Sequence, residues 1–307
     1  MKKILVATEK PFAPVAVEGI QKITEEAGFQ FALLEKYTEK TALLEAIKDA
    51  HAVIIRSDIV DAEVIEAGKE LKIVVRAGAG YDNVDLAAAS ANEVVVMNTP
   101  GQNSNAVAEL ALGMMVYFAR KKFNGKAGTE LAGKTLGIHA YGYVGRLVGK
   151  IAKGFGMQVL AYDPYIPAAK MSDDGVEAVA TREELYSKSQ YVSLHIPATA
   201  ETKGSIDETL LMSMPKGATL VNTARKEVIC EDSLCKVLAN RPDFGYVSDI
   251  APNNAEELMS SHPDQVYFTP KKMGAQTAEA NINAGLAAAR QIRDFFEKGE
   301  TTFQVNK

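Results

Sequence analysis

The sequence predicts an α/β protein made of two doubly wound parallel-sheet domains. Three observations predict it. Short β-rich apolar runs alternate with helix-period stretches along the whole chain, and strands separated by helices imply a parallel sheet covered on both faces. The rhythm breaks once, at an apolar helix and a polar loop, and then restarts. The second set counts six strands, the number in a doubly wound nucleotide-binding sheet. At 307 residues the chain has room for two medium domains.

In the first hundred residues KILVAT, Lys3 to Thr8, reads as a strand. PFAPVAVEGIQKITEEAG then carries helix-period apolar positions and ends in Gly28. FQFALL, AVIIRS, LKIVVRAGAG and VVVMNTP follow as strands, with TALLEAIKDA, DAEVIEAGKE and NVDLAAASANE between them. Asn105 to Arg120 is apolar almost all round, so both sides are expected to be buried, in an interdomain helix or a subunit interface. The polar stretch Lys121 to Lys134 separates the two sets. KTLGIHA, MQVLAYD, YVSLHIP, ATLVNTA, FGYVSDI and QVYFTP are the second set of strands. A last helix, Thr277 to Lys298, is expected to return to the first domain. The expected division is 1–100 with 286–307, and 101–285.

Composition removes several classes of function. Hydrophobic residues make up 47%, enough for a packed core. A net charge of −5 gives no basic footprint for nucleic acid. The opening MKKILVATEKP is too short in apolar residues for a signal segment, and no apolar run reaches the roughly 20 residues of a membrane span. A cytoplasmic protein is expected. Cys230 and Cys235, the only cysteines, are spaced for neither zinc nor one helix face, so no metal is expected.

In open parallel sheets ligands sit at the carboxyl ends of the strands. The first strand of the second set runs into Ala140-Tyr141-Gly142-Tyr143-Val144-Gly145, a G-x-G-x-x-G turn with its first glycine replaced. Gly142 lets the backbone approach a pyrophosphate, Gly145 permits close helix packing, and the helix N-terminus offers N–H groups to the anion. The next strand ends in Asp163, which suits a ribose 2′-hydroxyl and would repel a 2′-phosphate, so NAD is expected over NADP. Later strand ends bring His195-Ile196-Pro197, Thr223-Ala224-Arg225, Asp249 and Lys271-Lys272. An arginine there is always charged and forks onto a carboxylate.

In order and spacing, VVRAGAGYDNVDLAAA, NTPGQNSNAVAEL, KTLGIHAYGYVG, AYDPY, MPKGATLVNTAR and TPKKMGAQT resemble the D-isomer-specific 2-hydroxyacid dehydrogenases, nearest their short phosphoglycerate-oxidising members. The resemblance covers nearly the whole chain. It implies a flavodoxin-like substrate domain and a Rossmann NAD-binding domain, a small 2-hydroxy acid as substrate, and a homodimer. It puts Arg225 on the substrate carboxylate and carbonyl, and Asp249 beside the nicotinamide. Gly78, Ala79 and Gly80 would offer N–H groups to the carboxylate, with Asn103 shaping the same pocket. Arg56 and Arg76 are candidates for a substrate phosphate; surface salt bridging is the alternative. His195, Ile196, Pro197, Thr202, Thr223, Ala224, Gly274 and Ala275 would line the cofactor.

Two departures bear on the chemistry. The family's acid/base is a histidine after Thr-Pro, paired with a glutamate five residues past the strand-end aspartate. Here the glutamate position is Asn254, and the histidine position is lysine, Lys272 on the alignment of M-G-A-Q-T or Lys271 counted from Pro270. A protonated lysine serves ketone reduction directly. Alcohol oxidation needs the neutral amine, which is scarce for a lysine of pKa about 10.4, so burial and cationic neighbours are expected to make it more acidic. After Arg225 the family's Gly-Gly is replaced by Lys226-Glu227, and the connection after Arg120 is shorter than the arm relatives carry. The chain also ends soon after its last helix, so no C-terminal regulatory domain or serine feedback is expected. The implied reaction is oxidation of 3-phospho-D-glycerate to 3-phosphohydroxypyruvate. A glyoxylate or hydroxypyruvate reductase and a silent NAD sensor of the corepressor kind are the alternatives.

Overall fold

The computed structural model describes residues 1–306. Its contacts divide the chain into two compact units, Met1–Asn103 together with the chain from Gln276 onward, and Ser104–Ala275. The return to the first unit thus falls at Gln276, ahead of the expected 286.

The first unit holds five parallel strands: β1 (Lys3–Thr8), β2 (Gln30–Glu35), β3 (Ala52–Ile55), β4 (Ile73–Arg76) and β5 (Val95–Asn98), in the order β2-β1-β3-β4-β5. This is the flavodoxin-like order. β3 is buried at every position, as a strand covered by helices on both faces must be. Two clusters form its core: one around Leu5, Val53, Val74 and Val96, the other around Ile4, Ile54, Ile73 and Val75. The long helix Ala278–Lys298 packs on Pro14–Glu26 and adds Ala284, Ala288 and Ile292 to the second cluster. Beyond that helix, Val305 and Asn306 lie along the open edge of β5. Val305 N–H donates to Val96 O, and the Asn306 amide accepts from Val96 N–H at 2.9 Å and donates to Val94 O at 2.8 Å.

The second unit holds seven strands rather than the expected six: β6 (Thr135–His139), β7 (Gln158–Tyr162), β8 (Glu177–Ala178), β9 (Tyr191–Leu194), β10 (Thr219–Asn222), β11 (Gly245–Ser248) and β12 (Val266–Phe268). Their order is β12-β11-β10-β9-β6-β7-β8, all parallel. The extra strand, β8, is two residues long and lies at the sheet edge, too short to leave an apolar run in the sequence. β9, β10 and β11 are wholly buried. The helix Ser104–Ala119 packs against Tyr143–Gly154 and buries Ala108, Ala111, Leu112 and Met115. Gly113 remains exposed and Leu110 partly so, which limits the all-round burial its composition suggested. No helix among the described residues is long and apolar enough to cross a membrane.

Candidate active site

In the second unit the chain turns sharply after β6. Ala140 sits at φ 81°, in the left-handed region. A Cβ there costs about 1 kcal/mol relative to glycine, which is the physical sense of a glycine in that slot. Ala140 N–H donates to Tyr162 O, and a Cβ on Gly145 would lie 2.3 Å from Ala140 O, so no side chain fits at 145. Gly142 caps the helix Tyr143–Gly154, which has neither a side-chain cap nor an acidic residue in its first turn. A Cβ at Gly142 would meet no heavy atom within 4 Å. Uncapped N–H groups beneath open space are what a pyrophosphate needs. Val144 is half-buried beneath the turn, and Tyr143 is exposed.

Asp163, just past β7, takes Tyr141 N–H on Oδ2 and Tyr165 N–H on Oδ1, each at 2.8 Å. Both bonds fix the carboxylate and leave lone pairs for a diol. Beyond β9, His195 Nε2 lies 3.0 Å from Ser193 Oγ. Its pKa is pulled down to about 3, first by burial and then by His139. A neutral imidazole of this kind is a poor proton carrier near neutral pH. Ile196 is buried and Pro197 exposed. Thr202 folds its hydroxyl back to Pro197 O and accepts from Thr199 N–H.

At the end of β10 the Asn222 side chain organises the next three residues. Its Oδ1 accepts from Ala224 N–H at 2.9 Å, and its Nδ2 donates to Arg225 O at 3.0 Å. Arg225 is half-buried, with Nη1 on Ala224 O. Lys226, in the family's glycine slot, reaches Asn253 Oδ1 at 2.6 Å. Asp249, after β11, is 1% exposed. Its Oδ2 accepts from Gly274 N–H at 2.7 Å, and a Cβ at 274 would lie 2.8 Å from that oxygen. Burial pushes the Asp249 carboxyl up; the Gly274 N–H, Lys272, Met273 N–H and Arg225 oppose it, in that order. So one buried carboxylate holds the backbone that carries the lysines and feels both Lys272 and Arg225.

Lys271 and Lys272 are both exposed, so the chain does not itself bury either amine, contrary to the expectation above. The Asn254 amide donates to Cys235 Sγ at 3.0 Å. Two polar atoms at these strand ends, Thr223 Oγ1 and Asp249 Oδ1, are buried without a partner. An unmade bond of that sort costs about 1–3 kcal/mol, and a water, an ion or a ligand can complete it. With the open, uncapped turn and the oriented Asp163, the residues fit NAD. They would hold its pyrophosphate at Gly142–Gly145, its ribose at Asp163 and its nicotinamide near Thr223 and Asp249. Ala275 follows Gly274 and is half-buried. No group of His, Cys, Asp or Glu suited to a metal occurs among the described residues.

In the first unit Arg56 is engaged structurally. Nη1 donates to Lys10 O and Pro11 O at 2.8 and 2.9 Å, Nη2 to Asn281 Oδ1 at 2.6 Å, and the guanidinium lies over the Phe12 ring. It is neither a surface salt bridge nor an open phosphate ligand. Arg76 folds over the loop after β4: a Cβ at Gly78 would overlap its Nη1. Gly78 O accepts from Thr99 N–H and Ala79 O from Asn98 Nδ2, so this loop is tied to the end of β5. Ala79 is exposed, and Gly80 and Asn103 are partly so. Asn222, Asn98 and Asn281 escaped the sequence reading. Asn222 had a signal in the N-T-A-R motif and Asn98 in opening NTPGQNSNAVAEL; Asn281 had none.

Residues 111–271 match the family described as D-isomer specific 2-hydroxyacid dehydrogenase, NAD binding domain. The chain is 37% identical to the D-3-phosphoglycerate dehydrogenase of Methanocaldococcus jannaschii, over 95% of this chain and 57% of that protein. It is 36% identical to the hydroxypyruvate reductase of Thermotoga maritima, over 86% of this chain and 90% of that one. A crystal structure of NAD+-bound 3-phosphoglycerate dehydrogenase in Entamoeba histolytica superposes with a TM-score of 0.88 at 49% identity, covering 100% of this chain and 99% of that one. The chain spans about half the length of several curated relatives it matches.

Proposed function

Since the chain belongs to the D-isomer-specific 2-hydroxyacid dehydrogenases and contains their NAD-binding domain, we propose that it interconverts 3-phospho-D-glycerate and 3-phosphohydroxypyruvate. The observation that carries the reading is the convergence on Asp249, where a buried carboxylate fixes the lysine loop and lies within the field of Arg225. Bound NAD+ supplies the acceptor for the hydride that leaves the hydroxyl-bearing carbon. Arg225 grips the substrate carboxylate and polarises the carbonyl oxygen, as its planar fork allows. Lys272 takes the hydroxyl proton in oxidation and returns it in reduction, replacing the imidazole of relatives. The buried Thr223 and Asp249 oxygens find their partners on the cofactor side.

For the substrate phosphate, Arg56 and Arg76 stay the two candidates, Arg56 with its guanidinium already on two carbonyls and Asn281. The N–H groups of Gly78, Ala79 and Gly80 would serve the carboxylate, and Asn103 the pocket wall. The likeness to phosphoglycerate dehydrogenases supports this substrate. A hydroxypyruvate reductase is the second reading, supported by the relative whose length this chain nearly spans. It needs only the donor form of lysine. We take the working form to be a homodimer built on the helix Ser104–Ala119, whose Leu110 and Gly113 remain accessible.

The test compares NADH consumption with 3-phosphohydroxypyruvate and with hydroxypyruvate. A kcat/KM at least ten-fold higher for the phosphorylated ketone is expected. Equal values, or a preference for hydroxypyruvate, would replace the first reading with the second.

A further inference from the structure

The left-handed residue at the start of the cofactor turn is an alanine, and the residue after it is anchored at three points. Tyr141 is 1% exposed, so its side chain is closed to solvent and hence to a ligand. Its ring packs in the core formed with Val148, Ala152 and Met171, and its Cε2 would sit 3.6 Å from a Cβ at Gly149. Its phenol donates to Asp174 Oδ2 at 3.2 Å; Arg146 Nε donates to the same oxygen at 3.0 Å. Its main-chain N–H donates to Asp163 Oδ2. The chain from Ala140 to Tyr141 is therefore pulled from one side by a buried tether. On the other side it sets the carboxylate expected at the ribose. A glycine would hold this turn unaided; an alanine resists it.

We propose that Tyr141 is a positioning residue for the dinucleotide: its tether to Asp174 holds the left-handed turn at Ala140, and with it the N–H that orients Asp163. The idea rests on the dinucleotide reading of this unit. The phenol is well suited to the task. Burial, reinforced by Asp174, pushes its pKa up to about 12, so it stays a donor through the alkaline range in which alcohols are oxidised. The Ala140 substitution and the Tyr141 tether thus form a compensating pair. Neither is informative alone in the sequence, because Asp174 lies 33 residues beyond its phenol partner.

The experiment is a double-mutant cycle read by NADH fluorescence titration, with thermal midpoints alongside. Tyr141→Phe keeps the ring and removes the tether; it is expected to raise the Kd for NADH about five-fold. Asp174→Ala, approached from the other end, removes the acceptor and is expected to shift Kd in the same direction. Ala140→Gly in the Tyr141→Phe background is expected to bring Kd back to within about two-fold of the unaltered chain, because glycine needs no tether. A role confined to core packing would lower the thermal midpoint of Tyr141→Phe and leave Kd alone, and that result overturns the proposal. So does a loss of affinity that glycine fails to rescue. If the unaltered chain binds no NADH, the dinucleotide reading falls first and this inference with it.

Discussion

Asp249 shows how one side chain can hold a loop that lies far from it along the chain. Its carboxylate is buried, accepts the Gly274 N–H and shares a field with Lys272 and Arg225. Its position relative to Arg225 was legible, since strand-end residues on adjacent parallel strands must meet. Its grip on the lysine loop was not, because donor and acceptor are 25 residues apart. Two outcomes follow at this scale. Lys272→Ala is expected to cut turnover by about 10²–10⁴ while NADH still binds, with Lys271→Ala losing far less; equal effects, or none, would remove the acid/base assignment. Gly274→Ala places a Cβ 2.8 Å from Asp249 Oδ2 and 3.3 Å from Val107. Such crowding typically costs about 1–3 kcal/mol. A lowered denaturation midpoint and a displaced lysine loop, read as lost turnover, would register it; a variant of unchanged midpoint and rate would contradict the contact.

β6 ends in a histidine and another follows directly after β9, and both are held neutral. His139 is pulled down to about 4, by burial and then by Arg182, and His195 to about 3, by burial and then by His139. In the unfolded chain both titrate near 6.5. Folding therefore excludes protons that the unfolded chain binds. The stability this represents is complete above about pH 6.5 and is lost as pH falls toward 4 and 3. Each histidine contributes a slope of about 1.4 kcal/mol per pH unit in that window. Urea midpoints at pH 7.5 and 5.5 test this: a clear decline is expected, flattened in His139→Gln, and a pH-independent midpoint would refute it. At the far edge of the other sheet, Asn306 acts as a surrogate strand for β5. Asn306→Ala leaves two backbone groups without partners and is expected to destabilise the first unit by about 2 kcal/mol, read by chemical denaturation. Nothing in the C-terminal sequence flagged it, because an asparagine pairs with an edge only where folding brings that edge.

Each unit carries its own core, two clusters apiece, which predicts that the molecule unfolds in parts. Calorimetry is expected to resolve more than one transition, and NADH at about 100 times its Kd should stabilise the Ser104–Ala275 transition by about 2.7 kcal/mol. A single transition shifted as a whole would show the units to be thermodynamically coupled. The sequence by itself determined the alternation of strands and helices, the two doubly wound sheets and the strand-end positions of Arg225, Asp249 and the lysines. These follow from local periodicity and from the rule that parallel sheets present their chemistry at one end. Only the tertiary structure decided which groups are engaged. Arg56 is spent on Lys10, Pro11 and Asn281, Asn254 turns to Cys235, and Ala140 is held left-handed beside a tethered tyrosine. Those outcomes rest on partners far apart along the chain, and a hydrogen bond between distant residues leaves no periodicity behind.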